Sequence, residues 1–327
     1  MSPTFDDAAE TPIGTRAADG SRDATLALLR RLDATGYRFT TVTPASHARV
    51  LARADRRRAR DVRDALGWSL PFAPEAVGAE LFGLMIAAGV AAPAEDGLFR
   101  ATVRASSVQG ALFLHSAYPP DGRDAVFLGP DSHRFAELIG AEMGRPRSGG
   151  RILDYGAGAG VGGITAARAA PGATLTLADV NPAALRLAGI NAECAGLDHR
   201  EVVASSPADL DGRFDLIVTH PPFMIDEGGR LYRDGGALFG AGVALDWVLA
   251  GVELLAPGGR LVLHTGVSIV DGEDPLLREL HARLDTDRFA WGYRELDPDI
   301  FGEELATPAY ARVDRIAATA LLVVRTA

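Results

Sequence analysis

Nine residues near the middle of the chain, Ile152-Leu153-Asp154-Tyr155-Gly156-Ala157-Gly158-Ala159-Gly160, run an apolar strand directly into a turn built almost wholly of glycine and alanine. Glycine allows tight backbone geometry and close approach of a ligand, and the N-terminus of a following helix offers unpaired amides. After this turn, strands and helices alternate. Strands are predicted at Arg151 to Tyr155, Ala173 to Asp179, Arg200 to Ala204, Phe214 to Thr219 and Arg260 to His264. Helices are predicted from Val161, from Pro182, over Leu238 to Leu255 and from Pro275. This is the pattern of an α/β doubly wound parallel sheet. Two further strands, Phe289 to Leu296 and Ala317 to Arg325, flank a long connection, Asp297 to Ile316, of the kind that often forms a lid or binding loop.

The first half reads differently. Residues 1–20 carry Asp, Glu, Ala, Thr and Gly without an apolar run, which predicts a flexible arm with order beginning near Ser21 and no signal peptide. Helical spacing of apolar residues follows over Asp23 to Asp33, Pro44 to Leu66 and Glu75 to Ala88. Gly97 to Arg104 and Gly110 to Ser116 then alternate like two strands around a loop. Helices followed by a hairpin predict a smaller, mostly helical, winged-helix-like domain over 21–125, ahead of the sheet domain over 126–327. The run Ser148-Gly149-Gly150 marks the start of the alternating pattern. In the front domain Arg53, Arg56, Arg57, Arg58, Arg60 and Arg63 interleave with Asp55, Asp61 and Asp64 at spacings that allow pairs along a helix, which reads as a solvated face in preference to a nucleic-acid contact.

Composition narrows the partners. The 327 residues are 47% apolar and carry a formal charge of −10, the wrong sign for a diffuse phosphate-binding surface, so small or cationic partners are expected and nucleic acid is disfavoured. The apolar runs are far shorter than the roughly 18 to 20 residues of a membrane span, and a cytoplasmic protein is expected. Cys194 is the one cysteine, so an internal disulfide and a cysteine-based zinc site are both excluded, and no metal is expected. Oligomeric state is not legible.

Taken alone, the glycine turn is ambiguous. Gly158, Gly160 and Gly163 also have dinucleotide spacing, with Asp179 at about the distance of a ribose-binding acid. Asp154, however, ends the strand just ahead of the glycines, where its carboxylate would repel a pyrophosphate and suit a cationic amino-acid moiety. His220-Pro221-Pro222-Phe223 follows the fourth strand, and Pro257-Gly258-Gly259 turns into the fifth. With these features the sequence from about Phe127 to Ala327 resembles class I S-adenosylmethionine-dependent methyltransferases. The similarity is to the small-methyltransferase-domain group, which includes release-factor glutamine N-methyltransferases and rRNA N-methyltransferases.

The resemblance implies a Rossmann-like seven-stranded methyltransferase sheet, S-adenosyl-L-methionine as cofactor, and transfer to a nitrogen. It places Asp154, Gly156, Ala157 and Gly158 on the methionine part of the cofactor. Asp179 falls on the ribose hydroxyls, with Val180 and Asn181 beside it. Asn181 also reads as a cap for the helix at Pro182. Ser205 stands where the group often has an acid that reads the adenine. In the group's tetrapeptide the first residue is Asn or Asp; here it is His220. An imidazole accepts a hydrogen bond only when neutral and can also take a proton, which points to an amine that must lose one, with amide nitrogen as an alternative. His220, Pro221 and Phe223 are therefore the catalytic candidates, with Phe223 stacking on the acceptor. Tyr232 in the glycine-rich loop, Tyr310 in the long connection and Asp131 ahead of Phe135 are candidate substrate contacts. Asp131 or Ser132 also reads as a helix cap. Asp297, Asp299, Glu303 and Glu304 would meet a cationic acceptor if the connection folded over the site. The expected reaction is N-methylation of a small molecule or peptide. An RNA-base methyltransferase and an inactive cofactor-binding regulator are the alternatives.

Overall fold

The computed structural model describes residues 13–120, 122–143, 149–226 and 228–326. The front half has five helices, α1 (Ile13–Ala34), α2 (Pro44–Leu51), α3 (Val62–Leu66), α4 (Pro74–Val77) and α5 (Ala79–Ala87). Two antiparallel pairs follow, β1 (Ala91–Pro93) with β2 (Phe99–Ala101), and β3 (Val103–Val108) with β4 (Ala111–Ser116). Residues 1–12 of the expected arm lie outside the described residues, and α1 opens at Ile13 rather than near Ser21.

The helix expected over Pro44 to Leu66 is instead two. Asp64 is buried and draws in both Arg56 Nη1, at 2.6 Å, and Arg60 Nε, at 2.9 Å. Its Oδ2 also accepts the Arg60 backbone amide, and Asp61 Oδ1 caps α3 through the Asp64 amide. With these carboxylates turned onto backbone and neighbouring arginines, residues 52–61 form a loop.

The second half comprises α6 (Pro130–Met143), β5 (Arg151–Tyr155), α7 (Val161–Ala169), β6 (Thr174–Asp179), α8 (Pro182–Cys194), β7 (His199–Val203), β8 (Phe214–Thr219), α9 (Gly242–Gly251), β9 (Leu255–Ile269), α10 (Pro275–Arg283), β10 (Phe289–Asp297) and β11 (Arg315–Arg325). Seven strands form one sheet in the order β10-β11-β9-β8-β5-β6-β7. β5 to β9 are parallel, and β11 runs antiparallel between β9 and β10. Ile152, Leu175 and Val218 pack one face, and Leu153, Ala178 and Ile217 the other, so the strands read as continuous apolar runs because both faces are covered. From β5 the chain builds outward through β6 and β7, then returns to β8 on the other side. The crevice left at the carboxyl ends of β5 and β8 is where ligands bind in such sheets.

The β3–β4 hairpin is not the free wing its position suggested. Leu112 and Leu114 pack with the front-half core, while Val108 and Phe113 join the core of the sheet domain. Asn191 on α8 locks it: its Oδ1 accepts the Leu114 amide at 2.8 Å and its Nδ2 donates to the Leu114 carbonyl at 3.0 Å. Among the described residues no helix is long and apolar enough to cross a membrane.

Candidate functional site

At the carboxyl ends of β5, β6 and β8 one pocket is lined by Asp131, Asp154, Gly156, Ala157, Gly158, Asp179, Val180, Asn181, His220, Pro221, Phe223 and Tyr232. These candidates are spread over about a hundred residues of sequence and converge because each ends a strand or opens the element after it. Two do not join them. Ser205 is exposed and its amide is held by Asp209 Oδ2 in the turn after β7, so it lies outside the pocket lining. Tyr310 is buried beneath the loop that follows the tetrapeptide, where its hydroxyl accepts the Ile225 amide at 2.8 Å.

On the β5–β6 side the turn is shaped as a cradle. Gly156 has φ +69°, and a Cβ there would lie 2.4 Å from the Trp247 ring, so only glycine lets the backbone pass under that indole. Asp179 accepts the Gly158 amide through Oδ2 at 2.9 Å and the Asn181 amide through Oδ1 at 2.8 Å. A carboxylate has about four accepting positions, so Asp179, which lines the pocket, keeps accepting capacity beyond these bonds. Burial raises its pKa, and those amide bonds oppose the rise. Asp154, 1% exposed, accepts the Gly163 amide at 2.7 Å. Burial pushes its pKa up to about 8, with the Asp179 charge adding to the shift. A cation placed beside this carboxyl would favour its ionised form and lower that pKa. Asn181 is spent on structure: its Oδ1 caps α8 through the Ala183 amide and its Nδ2 donates to the Asp124 carbonyl.

Across the pocket, His220 Nδ1 lies 2.9 Å from the main-chain carbonyl of His264 on β9. A carbonyl needs a donor, so the proton is assigned to Nδ1 and the lone pair to Nε2. Burial lowers the pKa of His220, opposed by the charge of Asp131 and the carbonyl bond, so the ring is neutral at physiological pH. Phe135 at 5.5 Å and Phe223 at 5.8 Å flank it. Phe223, 8% exposed, lies flush on the sheet at Gly266, where a Cβ would come within 2.2 Å of the ring. Tyr232 stacks on Phe127 at 5.6 Å and donates its hydroxyl to the Pro120 carbonyl at 3.1 Å. Asp131 and Ser132 stand in the first turn of α6, which begins at Pro130, rather than at its cap.

The acids of the long connection do not face a cationic acceptor. Glu304 pairs with Arg233 at 2.7 Å and Asp297 with Arg134 at 2.8 Å, and Arg134 also holds Asp131. Ile300, Tyr310 and Ile316 pack with Phe223 and Met224, so the connection is a buttress under the acceptor loop instead of a lid over it. Trp247 and Phe301, which sequence reasoning missed, also line the pocket. Trp247 sits on an apolar helix where it reads as core, and Phe301 is one aromatic within a polar connection. Among the described residues no group of three His, Cys, Asp or Glu is placed to hold a metal.

Residues 135–264 match the family model described as methyltransferase small domain. Over 135 residues the chain is 39% identical to ribosomal RNA small subunit methyltransferase C of Serratia proteamaculans, covering 35% of this chain and 39% of that protein. It is 35% identical over 159 residues to release factor glutamine methyltransferase of Deinococcus radiodurans, covering 47% and 55%. A ribosomal protein L11 methylase from Lactobacillus delbrueckii subsp. bulgaricus superposes with a TM-score of 0.41 at 20% identity, covering 62% of this chain and 81% of that one. The chain thus spans about half or less of the length of the curated relatives it matches. Those relatives are named for an RNA and a protein, which overturns the expectation of a small-molecule acceptor with nucleic acid disfavoured. Net charge misled because it averages over surfaces that meet different partners. The likeness to a methyltransferase small domain is carried by residues 135–264 of this chain.

Proposed function

We propose that the chain transfers the methyl group of S-adenosylmethionine to a planar nitrogen of a macromolecule, an exocyclic amino group of an RNA base being the acceptor. The observation that carries this reading is the convergence of two unlike halves on one pocket. Asp154 and Asp179 line one side, and His220-Pro221-Pro222-Phe223 the other. The cofactor fits the residues present: Asp154 can ionise beside its ammonium, Asp179 has accepting capacity for ribose hydroxyls, and glycine at 156 lets the backbone turn past Trp247 at the pocket wall. When bound, the cofactor supplies a methyl carbon on a sulfonium.

The chain's own residues align and dry the acceptor. His220 Nε2, held toward the pocket by the Nδ1 bond, accepts a hydrogen bond from the target amino group and receives the proton that nitrogen sheds, beside the carboxyl of Asp131. Burial makes this imidazole a weaker base than a free one, which suits an uncharged amino group better than an ammonium. Phe223 offers a ring seated on the sheet, and Phe135 and Phe301 keep water off. Such alignment contributes roughly 7 to 11 kcal/mol of barrier reduction. The name of the RNA-methylating relative and the aromatic lining favour a base over a glutamine amide.

The test is to incubate the full chain and methyl-labelled cofactor with ribosomal subunits, naked ribosomal RNA and release factors. Digested RNA is expected to yield an N-methylated nucleoside. Label found in a release-factor glutamine, or in neither macromolecule, would reject the RNA reading.

A further inference from the structure

We propose that the arginine face between Arg49 and Arg63 is a docking surface for the phosphate backbone of RNA, an inference that rests on the RNA-base reading of the pocket. Between Arg49 and Asp64 the chain carries seven arginines and three aspartates, so a protein of formal charge −10 bears +4 in this short stretch and −14 elsewhere. The acids engage only part of this set: Asp64 pairs with Arg56 and Arg60, Asp96 with Arg58, and Asp55 is exposed with no ion pair among the described residues. Asp64 is buried under Arg56 and Arg60, and Asp61 caps α3. Arg49, Arg53 and Arg57 are exposed, and no ion pair holds them among the described residues. Arg49 lies on α2 and Arg53 and Arg57 in the loop over 52–61, and none of the three is paired at helical spacing. They are free to meet phosphate in the forked geometry that suits it.

Position relates the face to the pocket. Tyr118 stacks on His47 of α2 with ring centres 4.0 Å apart, and its hydroxyl is 3.5 Å from the Pro44 carbonyl at the start of that helix. Two residues later the Pro120 carbonyl accepts the hydroxyl of Tyr232, which lines the pocket. Arg49 is on α2 itself, two residues past His47, and Arg53 and Arg57 follow just beyond the end of that helix. A backbone lying on the arginines can therefore extend toward the pocket.

The test uses the full chain and a fluorescein-labelled RNA hairpin, read by anisotropy across a salt series. Arg49→Ala/Arg53→Ala/Arg57→Ala is expected to weaken binding about tenfold or more and to lower the slope of log Kd against log salt by about 2 to 3. The corresponding triple lysine variant, which keeps the charge but not the fork, is expected to keep the parent's salt slope with an affinity between the parent and the alanine variant. Calorimetry with S-adenosylhomocysteine should give equal affinity for all three proteins, showing that the pocket is intact. If the parent methylates RNA while the alanine variant keeps its affinity and slope, this surface is refuted and the acceptor class stands. If the parent retains no RNA and labels a protein instead, both fall.

Discussion

The Nδ1 of His220 lies 2.9 Å from the main-chain carbonyl of His264 and 3.3 Å from that residue's own Nδ1, and the shorter carbonyl bond assigns the proton to Nδ1 of His220 and the lone pair to Nε2. The carbonyl belongs to a central strand of the sheet, paired on both sides, so it does not yield to the ring. Nε2 keeps its lone pair as long as the ring is neutral, and burial keeps it neutral to below the usual histidine range. The acid limb of the pH–rate profile is therefore expected below about pH 6.5, where protonation removes the acceptor. His220→Asn supplies an acceptor that does not titrate. It should flatten that limb and lower the rate at neutral pH by roughly 100-fold or more, with S-adenosylhomocysteine affinity unchanged. An unaltered profile would remove His220 from the proton's path.

Asp179 supports two hydrogen bonds to backbone and has capacity left for two hydroxyls. Charge-assisted bonds contribute roughly 1.5 to 3 kcal/mol each, so Asp179→Ala should weaken cofactor-product binding at least about tenfold. Asp179→Asn retains one acceptor oxygen and should fall between the two. Equal affinity of all three by calorimetry would contradict the ribose assignment.

Asp154 gives a prediction with a sign. Its pKa of about 8 in the free protein lies above the unfolded value near 3.9, so the folded state holds the extra proton. Stability of the free protein should therefore fall as pH rises from about 4 to about 8, and Asp154→Asn should flatten that slope. Binding a cation beside this carboxyl expels its proton. Calorimetry near neutral pH in buffers of different ionisation enthalpy should show about one proton released by the parent and none by Asp154→Asn. Equal proton release by the two would place the ammonium elsewhere.

Much of the fold was legible because its signals are local. The boundaries of β5, α7 and α8 follow from an apolar run, a glycine turn and Asn181-Pro182, each of which acts over a few residues. What failed depended on contacts across the chain. Nothing near Arg53 announces that Asp64 will be buried and gather Arg56 and Arg60, so the helix drawn through them was too long. The two-sided burial of the β3–β4 hairpin depends on Asn191, 77 residues beyond Leu114. The site followed the same division. Strand-end residues were found from motif spacing, whereas Trp247, Phe301 and the His264 carbonyl come from elements whose sequence reads as core or loop. Ser205 failed because the acid at Asp209 bends back onto its own turn.

Gly266 offers the most direct test of the acceptor platform, because its role is steric and lies outside any chemistry. A methyl group at this position would fall 2.2 Å from Cδ2 of Phe223 and 2.4 Å from Cε2, well inside contact distance, so the ring must tilt off the sheet. Overpacking of this kind costs about 1 to 3 kcal/mol. In Gly266→Ala the melting temperature is expected to drop by several degrees and methyl transfer to fall at least about tenfold, since a displacement near 1 Å can cost a hundredfold. Cofactor-product binding should remain, because Asp154 and Asp179 are on the other side of the pocket. A structural defect alone would be relieved by trimming the ring. Gly266→Ala/Phe223→Leu should therefore regain stability without regaining activity, since the leucine relieves the clash and leaves nothing for a planar acceptor to stack on. Recovery of full activity in that double variant would show that Phe223 is packing only.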